Sequence, residues 1–358
     1  MFRKQVRATT FTMAMPIVCF LACMANGQDP NREAMNVQGE SLVLAKTETG
    51  NLCFQQVKKG SLTLRNTFVA GAQGGFVYIE GRDYVVDYDK GTISRTTDSH
   101  IPDYSDHCTY GLKGFEHGKF PNISNHRWFV WADYETTNGK PWSKPHDQRK
   151  YLTGTRKKLE TGGPFRIATY GDSITAGGEA SEPDFRFSQR FANYLQARFP
   201  TAKVELQDAS IPGYTSREGI KWFDEKLGTV EKPDLVLVGF GMNDHNQLDV
   251  GGTEPAQFKD NLVAIIKLIR EQSDAEVILF SAFPPNDNWR YGTHRMDQFA
   301  KATQHAAADA RCAYADVYGT WEMALQRKDQ SSLLNNNINH PNDFGHWLYE
   351  QAFEAIKF

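Results

Sequence analysis

The sequence predicts an α/β protein in which a parallel sheet lies between helices and is preceded by a β-sandwich-like domain. From residue 164 to the end of the chain, strand and helix patterns alternate, which is typical of a parallel sheet with helices on both faces. Residues 41–136 instead show short strand patterns separated by turn residues, without a helical period of useful length. The chain has 358 residues, which is enough for two domains.

The N-terminal stretch, residues 1–27, has the pattern of a signal peptide. Three basic residues precede an apolar run, residues 11–23, that is too short to span a bilayer, and small residues after it permit cleavage before Gln28. We therefore expect a secreted or periplasmic protein, and the poor fit of Phe20 to a lipoprotein box argues against a lipid anchor. No other apolar run is long enough to cross a membrane, and a formal net charge of −3 gives no reason to expect nucleic acid as a partner.

Residues 41–136 are expected to form a β-rich accessory domain. Asp89, Lys90 and Gly91 form a turn between two strand patterns, which favours a hairpin. The aromatic side chains of this domain either fill a small core or stack on sugar rings, and the sequence leaves both interpretations open. Residues 137–163 carry Gly, Pro, Lys and Arg without an apolar period and are expected to be a linker. The strands are predicted at 41–44, 61–64, 75–79, 84–88, 92–95 and 128–131.

Three cysteines remain after the predicted cleavage. Because an exported protein meets an oxidising compartment, Cys53 and Cys108 are candidates for a disulfide within the accessory domain, with their spacing as the only support. Cys312 opens an apolar strand pattern and is expected to be a buried thiol.

The region from 164 to 358 supplies the predicted parallel sheet. Leu235 to Phe240 form a nearly continuous apolar run, as expected for a central strand of such a sheet. The last helix is preceded by Asn342 and Asp343, either of which is placed to cap it. Strands are predicted at 165–170, 203–206, 235–240, 277–280 and 313–317, and helices at 185–199, 216–227, 258–270, 295–310 and 344–356.

A serine follows the first of these strands directly. Gly171 tolerates the sharp turn that ends the strand, so Ser173 is expected at the edge of the sheet, where open α/β folds bind ligands. Three later segments contribute polar groups after a strand or before a helix, and they contain Gly213, Asn243 and His340. Because the carboxyl ends of parallel strands meet at one edge, we expect these groups to come together.

These residue types match the needs of acyl transfer. The hydroxyl of Ser173 requires a base to take its proton, and His340 titrates near neutral pH. The oxyanion that forms during the reaction needs preorganised donors. The backbone N–H groups of Ser173 and Gly213 and the side-chain amide of Asn243 are candidates for that role.

Four blocks of this region resemble the motifs of the SGNH, or GDSL-type, hydrolase family. The resemblance covers about residues 164–358, and it implies a flavodoxin-like three-layer α/β/α fold and ester hydrolysis without a cofactor. It further implies Ser173 as nucleophile, His340 as base, and an oxyanion hole from Ser173, Gly213 and Asn243. The blocks, in the family's order, are Gly171-Asp172-Ser173, Gly213, Gly241-Met242-Asn243-Asp244 and His340-Pro341-Asn342.

One position departs from the family pattern. The family usually has an aspartate three residues before the histidine, where this chain has Asn337, so the group that orients His340 is open. Asn337 is kept as a candidate catalytic residue. In one interpretation a backbone carbonyl orients His340 as part of a Ser–His dyad. In the second a displaced carboxylate, such as Asp329 or Asp343, does so, and in the third the site is impaired.

The leading prediction is a secreted serine esterase that hydrolyses carboxylic esters, acetyl esters first, on polysaccharide or on a small acylated molecule. The alternatives are a lipase or lysophospholipase, and a glycan-binding protein whose hydrolase domain is catalytically weak. Turnover of p-nitrophenyl acetate separates the last alternative from an esterase. A metal site is not expected, because His245, His340 and His346 lack the spacing of a closed ligand set. The oligomeric state is left open.

Overall fold

The computed structural model describes residues 33–358, and the predicted signal peptide lies outside the described residues. Within these residues no helix is both long and apolar enough to cross a membrane. The first strands are β1 (Glu33–Leu42), β2 (Thr49–Asn51), β3 (Thr63–Arg65), β4 (Tyr84–Asp87), β5 (Thr92–Arg95), β6 (Val130–Gly139) and β7 (His146–Asp147). They are followed by α1 (Thr153–Thr161), β8 (Gly163–Gly171), α2 (Phe187–Arg198), β9 (Ala202–Asp208), α3 (Ser216–Lys221), β10 (Leu235–Gly239), α4 (Pro255–Gln272), β11 (Glu276–Phe280), α5 (Met296–Ala310), β12 (Ala313–Ala315), α6 (Val317–Leu325), α7 (Asp343–Glu354) and β13 (Ile356–Lys357).

The central sheet has five parallel strands in the order β12-β11-β10-β8-β9. Its first strand along the chain, β8, lies between its second and third strands, β9 and β10, which is the strand order of flavodoxin-like folds. Helix α7 packs against α2 and α6, and helix α4 packs against α3 and α5. Two separate helical layers are expected when helices cover both faces of the sheet. The predicted three-layer α/β fold is confirmed.

Strand β10 illustrates how the sequence builds this core. All residues from Leu235 to Gly239 are buried, as are Val277 to Phe280 in the neighbouring β11. Aliphatic side chains suit a strand that is covered on both faces, and burying a Val or Leu side chain contributes about 1.5–3 kcal/mol. Gly239 has no room for a side chain, because a Cβ atom there would overlap the ring of Phe280.

The N-terminal region, residues 33–139, forms two small antiparallel sheets. One has the strand order β1-β6-β3 and the other β2-β5-β4. The predicted hairpin is confirmed, with Gly91 at φ +61° in the turn between β4 and β5. The predicted β-rich N-terminal region is therefore confirmed.

Several predicted boundaries in this part of the chain are wrong. Strand β1 begins at Glu33 rather than at 41, because it pairs with β6 along most of its length. The predicted strand at 75–79 is absent from the described structure apart from an isolated bridge, and its apolar side chains are largely exposed. The predicted linker at 137–163 contains the end of β6, the short strand β7 and helix α1. That helix buries Leu159 as its one large apolar side chain, so its sequence shows no apolar period.

Two further differences lie in the α/β region. Helix α3 ends at Lys221, and the chain continues as turns where the apolar spacing predicted helix up to 227. Helix α6 begins at Val317, where a strand was predicted to end. Asp316 explains this start, because its side chain accepts a hydrogen bond from the backbone N–H of Gly319 at 3.0 Å and so caps the helix. Asn342 caps α7 in the same way, by accepting from the N–H of Gly345 at 2.9 Å.

The N-terminal region and the α/β region share one continuous hydrophobic core. A fully buried ion pair joins them, with Lys328 Nζ 2.8 Å from Glu40 Oε1. The Glu40 carboxylate also accepts from the hydroxyl of Tyr134 at 2.7 Å and from the backbone N–H of Cys53 at 2.9 Å. The charge of Glu40 is therefore balanced by one cation and two neutral donors, as a buried carboxylate requires.

The predicted disulfide between Cys53 and Cys108 is wrong, since all three cysteines of the described residues are free. Cys53 is buried beside Glu40, and burial raises the pKa of its thiol well above the ordinary value. Cys108 is exposed, and its Sγ lies 3.5 Å from the carbonyl oxygen of Asn122. Cys312 is buried, as predicted.

The buried ion pair gives a stability prediction. Lys328→Met removes the cation and leaves the Glu40 carboxylate buried, so we expect the free energy of unfolding to fall by about 3–5 kcal/mol in denaturant titrations. The matched control is Lys58→Met, because the Lys58–Glu135 pair has the same 2.8 Å separation but is exposed. That variant should lose less than about 1 kcal/mol. Equal losses in the two variants would contradict the role given to the buried pair.

Candidate active site

The loop after β8 holds Ser173 at the edge of the sheet. The buried side chain of Asp172 accepts from the backbone N–H of Ile174 at 3.0 Å and of Thr175 at 3.3 Å, which closes a tight turn. The hydroxyl of Thr175 donates to the carbonyl of Gly239 at 2.7 Å and ties this turn to the end of β10. Ser173 is thereby presented where β8 and β10 end side by side.

Two buried carboxyl groups brace this edge. Burial raises the pKa of Asp172 to about 7 and that of Asp244 to about 6. Asp244 accepts from the backbone N–H of Ser216 at 2.9 Å and from its hydroxyl at 2.5 Å, which fixes the start of α3 to the loop after β10. The two carboxyls therefore accept hydrogen bonds from backbone N–H groups and so fix the loops that carry the candidate residues.

The predicted oxyanion donors lie on adjoining loops. The backbone N–H of Ile211 donates to the carbonyl of Gly171 at 2.9 Å, which brings the loop of Gly213 against the loop of Ser173. The side-chain amide of Asn243 donates to the carbonyl of Tyr214 at 2.9 Å. Gly213 has φ +82°, a conformation that favours glycine, and open space surrounds its Cα atom.

His340 meets Ser173 directly. The distance between His340 Nε2 and Ser173 Oγ is 2.8 Å. Gly178 makes this approach possible, because a Cβ atom there would lie 2.8 Å from both the imidazole Cδ2 and the carbonyl oxygen of Ser173. Two residues that are 167 positions apart in the chain are thus within hydrogen-bonding distance.

A second histidine, His346, supports the same loop. Its Nε2 lies 3.1 Å from the carbonyl oxygen of Gly178, and its Nδ1 accepts from the backbone N–H of Phe187 at 3.4 Å. Burial lowers the pKa of His346 to about 3, so the ring is neutral and both contacts suit one tautomer.

The second ring nitrogen of His340 faces two asparagines. Nδ1 lies 2.8 Å from Asn339 Oδ1 and 2.6 Å from Asn336 Nδ2. The orientation of the Asn336 amide is fixed, because its Oδ1 accepts from the backbone N–H groups of Ile338, Asn339 and His340 at 2.9 Å each. Asn339 Oδ1 is therefore the acceptor for a proton on Nδ1, and Asn336 Nδ2 is a donor towards the same atom.

Asn337, the residue at the family's usual acid position, points away from His340. Its side chain is buried, and its Oδ1 accepts from the amides of Asn125 and Asn286, both at 3.1 Å, while its Nδ2 donates to Thr109 at 2.7 Å. The prediction of Asn337 as a catalytic residue is corrected here, because no hydrogen bond within the described residues joins it to the imidazole. Its backbone is in the left-handed region, with φ +55°, which asparagine adopts more readily than most residues.

Neither displaced carboxylate reaches His340. Asp343 accepts from the backbone N–H and the hydroxyl of Ser181 at 2.8 and 2.7 Å. Asp329 lines a cavity of about 420 Å³ that Asn337 also lines and that His340 does not line. Across residues 33–358, no carboxylate forms a hydrogen bond with the imidazole of His340. Asn336 and Asn339 were missed as partners of His340, although four of the five residues from 335 to 339 are asparagine, which was a visible signal of a polar loop.

Burial lowers the pKa of His340, and the carboxylate of Glu179 opposes that effect. The side chain of Glu179 is fixed by the amide of Asn335, which donates to its Oε2 at 2.6 Å. The third histidine, His245, is buried with Nδ1 2.6 Å from the carbonyl oxygen of Met242, and burial lowers its pKa to about 4. In the described part of the chain, no group of three or more His, Cys, Asp or Glu side chains is arranged to hold a metal ion.

A family model described as the GDSL-like Lipase/Acylhydrolase family matches residues 169–348, half of the chain. The chain belongs to this family. The predicted family and the predicted enzyme class, a serine ester hydrolase, are confirmed by that membership. The chain matches no curated protein.

Among solved structures, the acylhydrolase is similar to a two-domain esterase active on acetylated mannans, at 20% identity and a TM-score of 0.47, over 60% of this chain and 54% of that chain. It therefore spans about half the length of that esterase. It is also similar to Axe2, an acetylxylan esterase from Geobacillus stearothermophilus, at 21% identity and a TM-score of 0.46, over 54% and 94% of the two chains. LAE5, an alpha/beta hydrolase from the metagenome of Lake Arreo, is similar at 23% identity and a TM-score of 0.46, over 55% and 97%.

Proposed function

We propose that the protein is an exported serine esterase that removes small acyl groups, acetyl first, from carbohydrate. Ser173 is the nucleophile and His340 the general base. The observation that carries this proposal is the 2.8 Å distance between Ser173 Oγ and His340 Nε2 at the edge of the sheet. A serine hydroxyl is activated when a base within this distance takes its proton.

The reaction then has two halves. In the first, Ser173 Oγ attacks the ester carbonyl carbon while His340 Nε2 takes the hydroxyl proton, and the same proton passes to the leaving alcohol oxygen. In the second half, His340 Nε2 takes a proton from the water that attacks the acyl-serine carbonyl carbon. The bond between this carbon and Ser173 Oγ then breaks, the acid is released, and His340 returns the proton to Ser173 Oγ. In each half the oxyanion is stabilised by the N–H groups of Ser173 and Gly213 and by the side-chain amide of Asn243.

Asn339 is the group we assign to orient His340. Nε2 accepts a proton only when the ring proton is on Nδ1, and that proton needs an acceptor. Asn339 Oδ1, 2.8 Å away, supplies it with an amide oxygen rather than a carboxylate or a backbone carbonyl. Asn336 Nδ2 favours the opposite tautomer, with the ring proton on Nε2. A donor 2.6 Å from Nδ1 is satisfied only when Nδ1 is unprotonated and can accept its hydrogen bond. Our assignment requires that Asn339 selects the reactive tautomer against this competing donor.

The substrate assignment rests on the expected export of the protein. The signal-peptide pattern at residues 1–27 favours export, and a polysaccharide ester is a substrate that an exported hydrolase meets. A lipase or lysophospholipase is the alternative. Comparing p-nitrophenyl esters from acetate to octanoate separates the two, since an acetylesterase loses kcat/KM as the acyl chain lengthens.

The nucleophile and the oxyanion donor give the first test of the mechanism. Ser173→Ala should abolish hydrolysis of p-nitrophenyl acetate without loss of folding, because one hydroxyl is removed. Asn243→Ala should lower kcat by about 10²–10³, the usual cost of one oxyanion donor. Full activity of Ser173→Ala in steady-state assays would exclude the serine mechanism.

The orienting residue gives a test with a pH readout. Asn339→Ala removes the acceptor and leaves the donor Asn336, so kcat should fall by at least about a hundredfold, within the roughly 10⁴ that a wrong tautomer costs a serine protease. Asn339→Asp should keep activity and raise the pKa of His340, because a carboxylate stabilises the imidazolium.

The acid limb of kcat/KM reports the pKa of His340. It should have its midpoint below about 6.5 in the natural protein and move to higher pH in Asn339→Asp. The control is Asn337→Ala, which should lower the free energy of unfolding while kcat of the folded protein changes less than tenfold. A larger loss of kcat in Asn337→Ala than in Asn339→Ala would reverse the assignment.

Export is tested separately on the full chain. Protein recovered outside the cytoplasm of a bacterial expression host should begin at Gln28, as read by N-terminal sequencing or intact mass. Retention of the full-length chain in the cytoplasm would count against the export part of the proposal and leave the mechanism untouched.

A further inference from the structure

We propose that a groove between the N-terminal region and the α/β region binds an uncharged sugar residue next to the one that carries the acyl group. This inference rests on the proposed function and specifies its substrate. The groove, called here the lateral groove, has a volume of about 510 Å³, within the range of small-molecule sites. Phe68, His126 and Trp131 line it from one region, and Glu179, Glu182 and Phe185 from the other.

The lateral groove adjoins the Ser173–His340 pair through two short connections. Glu179 follows Gly178, whose backbone N–H donates to the carbonyl of Ser173 at 2.8 Å. Asn335, which also lines the groove, donates through its backbone N–H to the carbonyl of His340 at 2.9 Å. A chain of sugar residues with its acyl ester at Ser173 therefore has this groove beside it.

The wall contributed by the N-terminal region is rigidly built. Arg65 is buried and forms an ion pair with Asp133 at 2.5 Å, and its guanidinium donates to the carbonyls of Thr67 and Phe68. The Phe68 ring then meets the rings of Trp131 and of Phe185 at centroid distances of 5.1 Å, both edge-on. The aromatic surface of the groove thus spans the two regions and is held in place before any ligand arrives.

The composition of the groove matches a sugar ring. Aromatic side chains provide the apolar surface on which the C–H groups of a pyranose pack, and carboxylates accept hydrogen bonds from its hydroxyls. Glu179 and Glu182 are exposed carboxylates, so the groove repels an anionic ligand. These two features favour neutral xylose, mannose or glucose units over uronic acids. The role of the N-terminal region is then to complete the substrate site.

The test compares two substrates in each of three variants. Phe68→Ala removes the ring that lies between Trp131 and Phe185 in the groove, and His126→Ala removes an exposed side chain that lines it. Phe76→Ala is the matched control, because Phe76 is an aromatic residue of the same region that is 51% exposed and lies outside the groove.

For acetylated xylo- and manno-oligosaccharides, KM should rise at least tenfold in Phe68→Ala and at least threefold in His126→Ala. For p-nitrophenyl acetate, all three variants should stay within twofold of the natural protein.

Calorimetric titration of the Ser173→Ala protein with acetylated oligosaccharide gives a readout that is independent of turnover. Binding should be lost when Phe68→Ala is added and kept when Phe76→Ala is added. The inference is overturned if KM for the oligosaccharides is unchanged in both groove variants. It is also overturned if kcat/KM falls equally for the oligosaccharides and for p-nitrophenyl acetate. A fall in kcat/KM for p-nitrophenyl octanoate alone would likewise overturn it and would identify an acyl-chain site. Failure of the proposed function is seen separately, as absence of p-nitrophenyl acetate turnover in the natural protein.

Discussion

The position of the histidine loop, residues 331–340, depends on one buried side chain of the N-terminal region. Asn125 is fully buried, and its amide donates to the carbonyls of Ser331 and Leu334 at 3.0 and 2.8 Å. Its backbone N–H donates to the carbonyl of Asn335 at 2.7 Å. These contacts hold the first half of the loop, residues 331–335, and a buried amide that satisfies several carbonyls at once is costly to replace. His340, the proposed general base, is therefore on a loop that is held from outside the α/β region that supplies it.

The order of the strands explains why the site forms at this edge of the sheet. Strands β8 and β10 are neighbours although β9 lies between them in the chain, so the helices that follow them leave the sheet on opposite faces. The crevice between the two departing chains is where open α/β folds place their ligands. Ser173 and Asn243 occupy it because each comes a few residues after one of these strands.

The α/β region was largely predictable from the sequence, because its strands are continuous apolar runs and its helices show a clear apolar period. Leu235 to Gly239 and helix α4 illustrate both signals. Helix α1 was not predictable, since Leu159 is its one large buried apolar side chain. Ser173, Gly213, Asn243 and His340 were identifiable as motif residues, while the contact of His340 with Asn339 depends on a loop conformation that no periodicity records.

The amide at position 337 is explained by its surroundings rather than by the catalytic site. Its Oδ1 accepts from Asn125, Asn286, Ser331 and Tyr104, and its Nδ2 donates to Thr109.

An aspartate at position 337 would still accept from the same donors, but it would replace the N–H that donates to the Thr109 hydroxyl, so this hydroxyl would have to turn and become the donor. It would also bury a negative charge with no cation among the partners named above, which costs several kcal/mol. Because position 337 anchors the loop to the N-terminal region, its side chain does not face His340. Asn339, the group that we propose to orient the ring, lies next to the histidine in the same loop, with its Oδ1 2.8 Å from Nδ1.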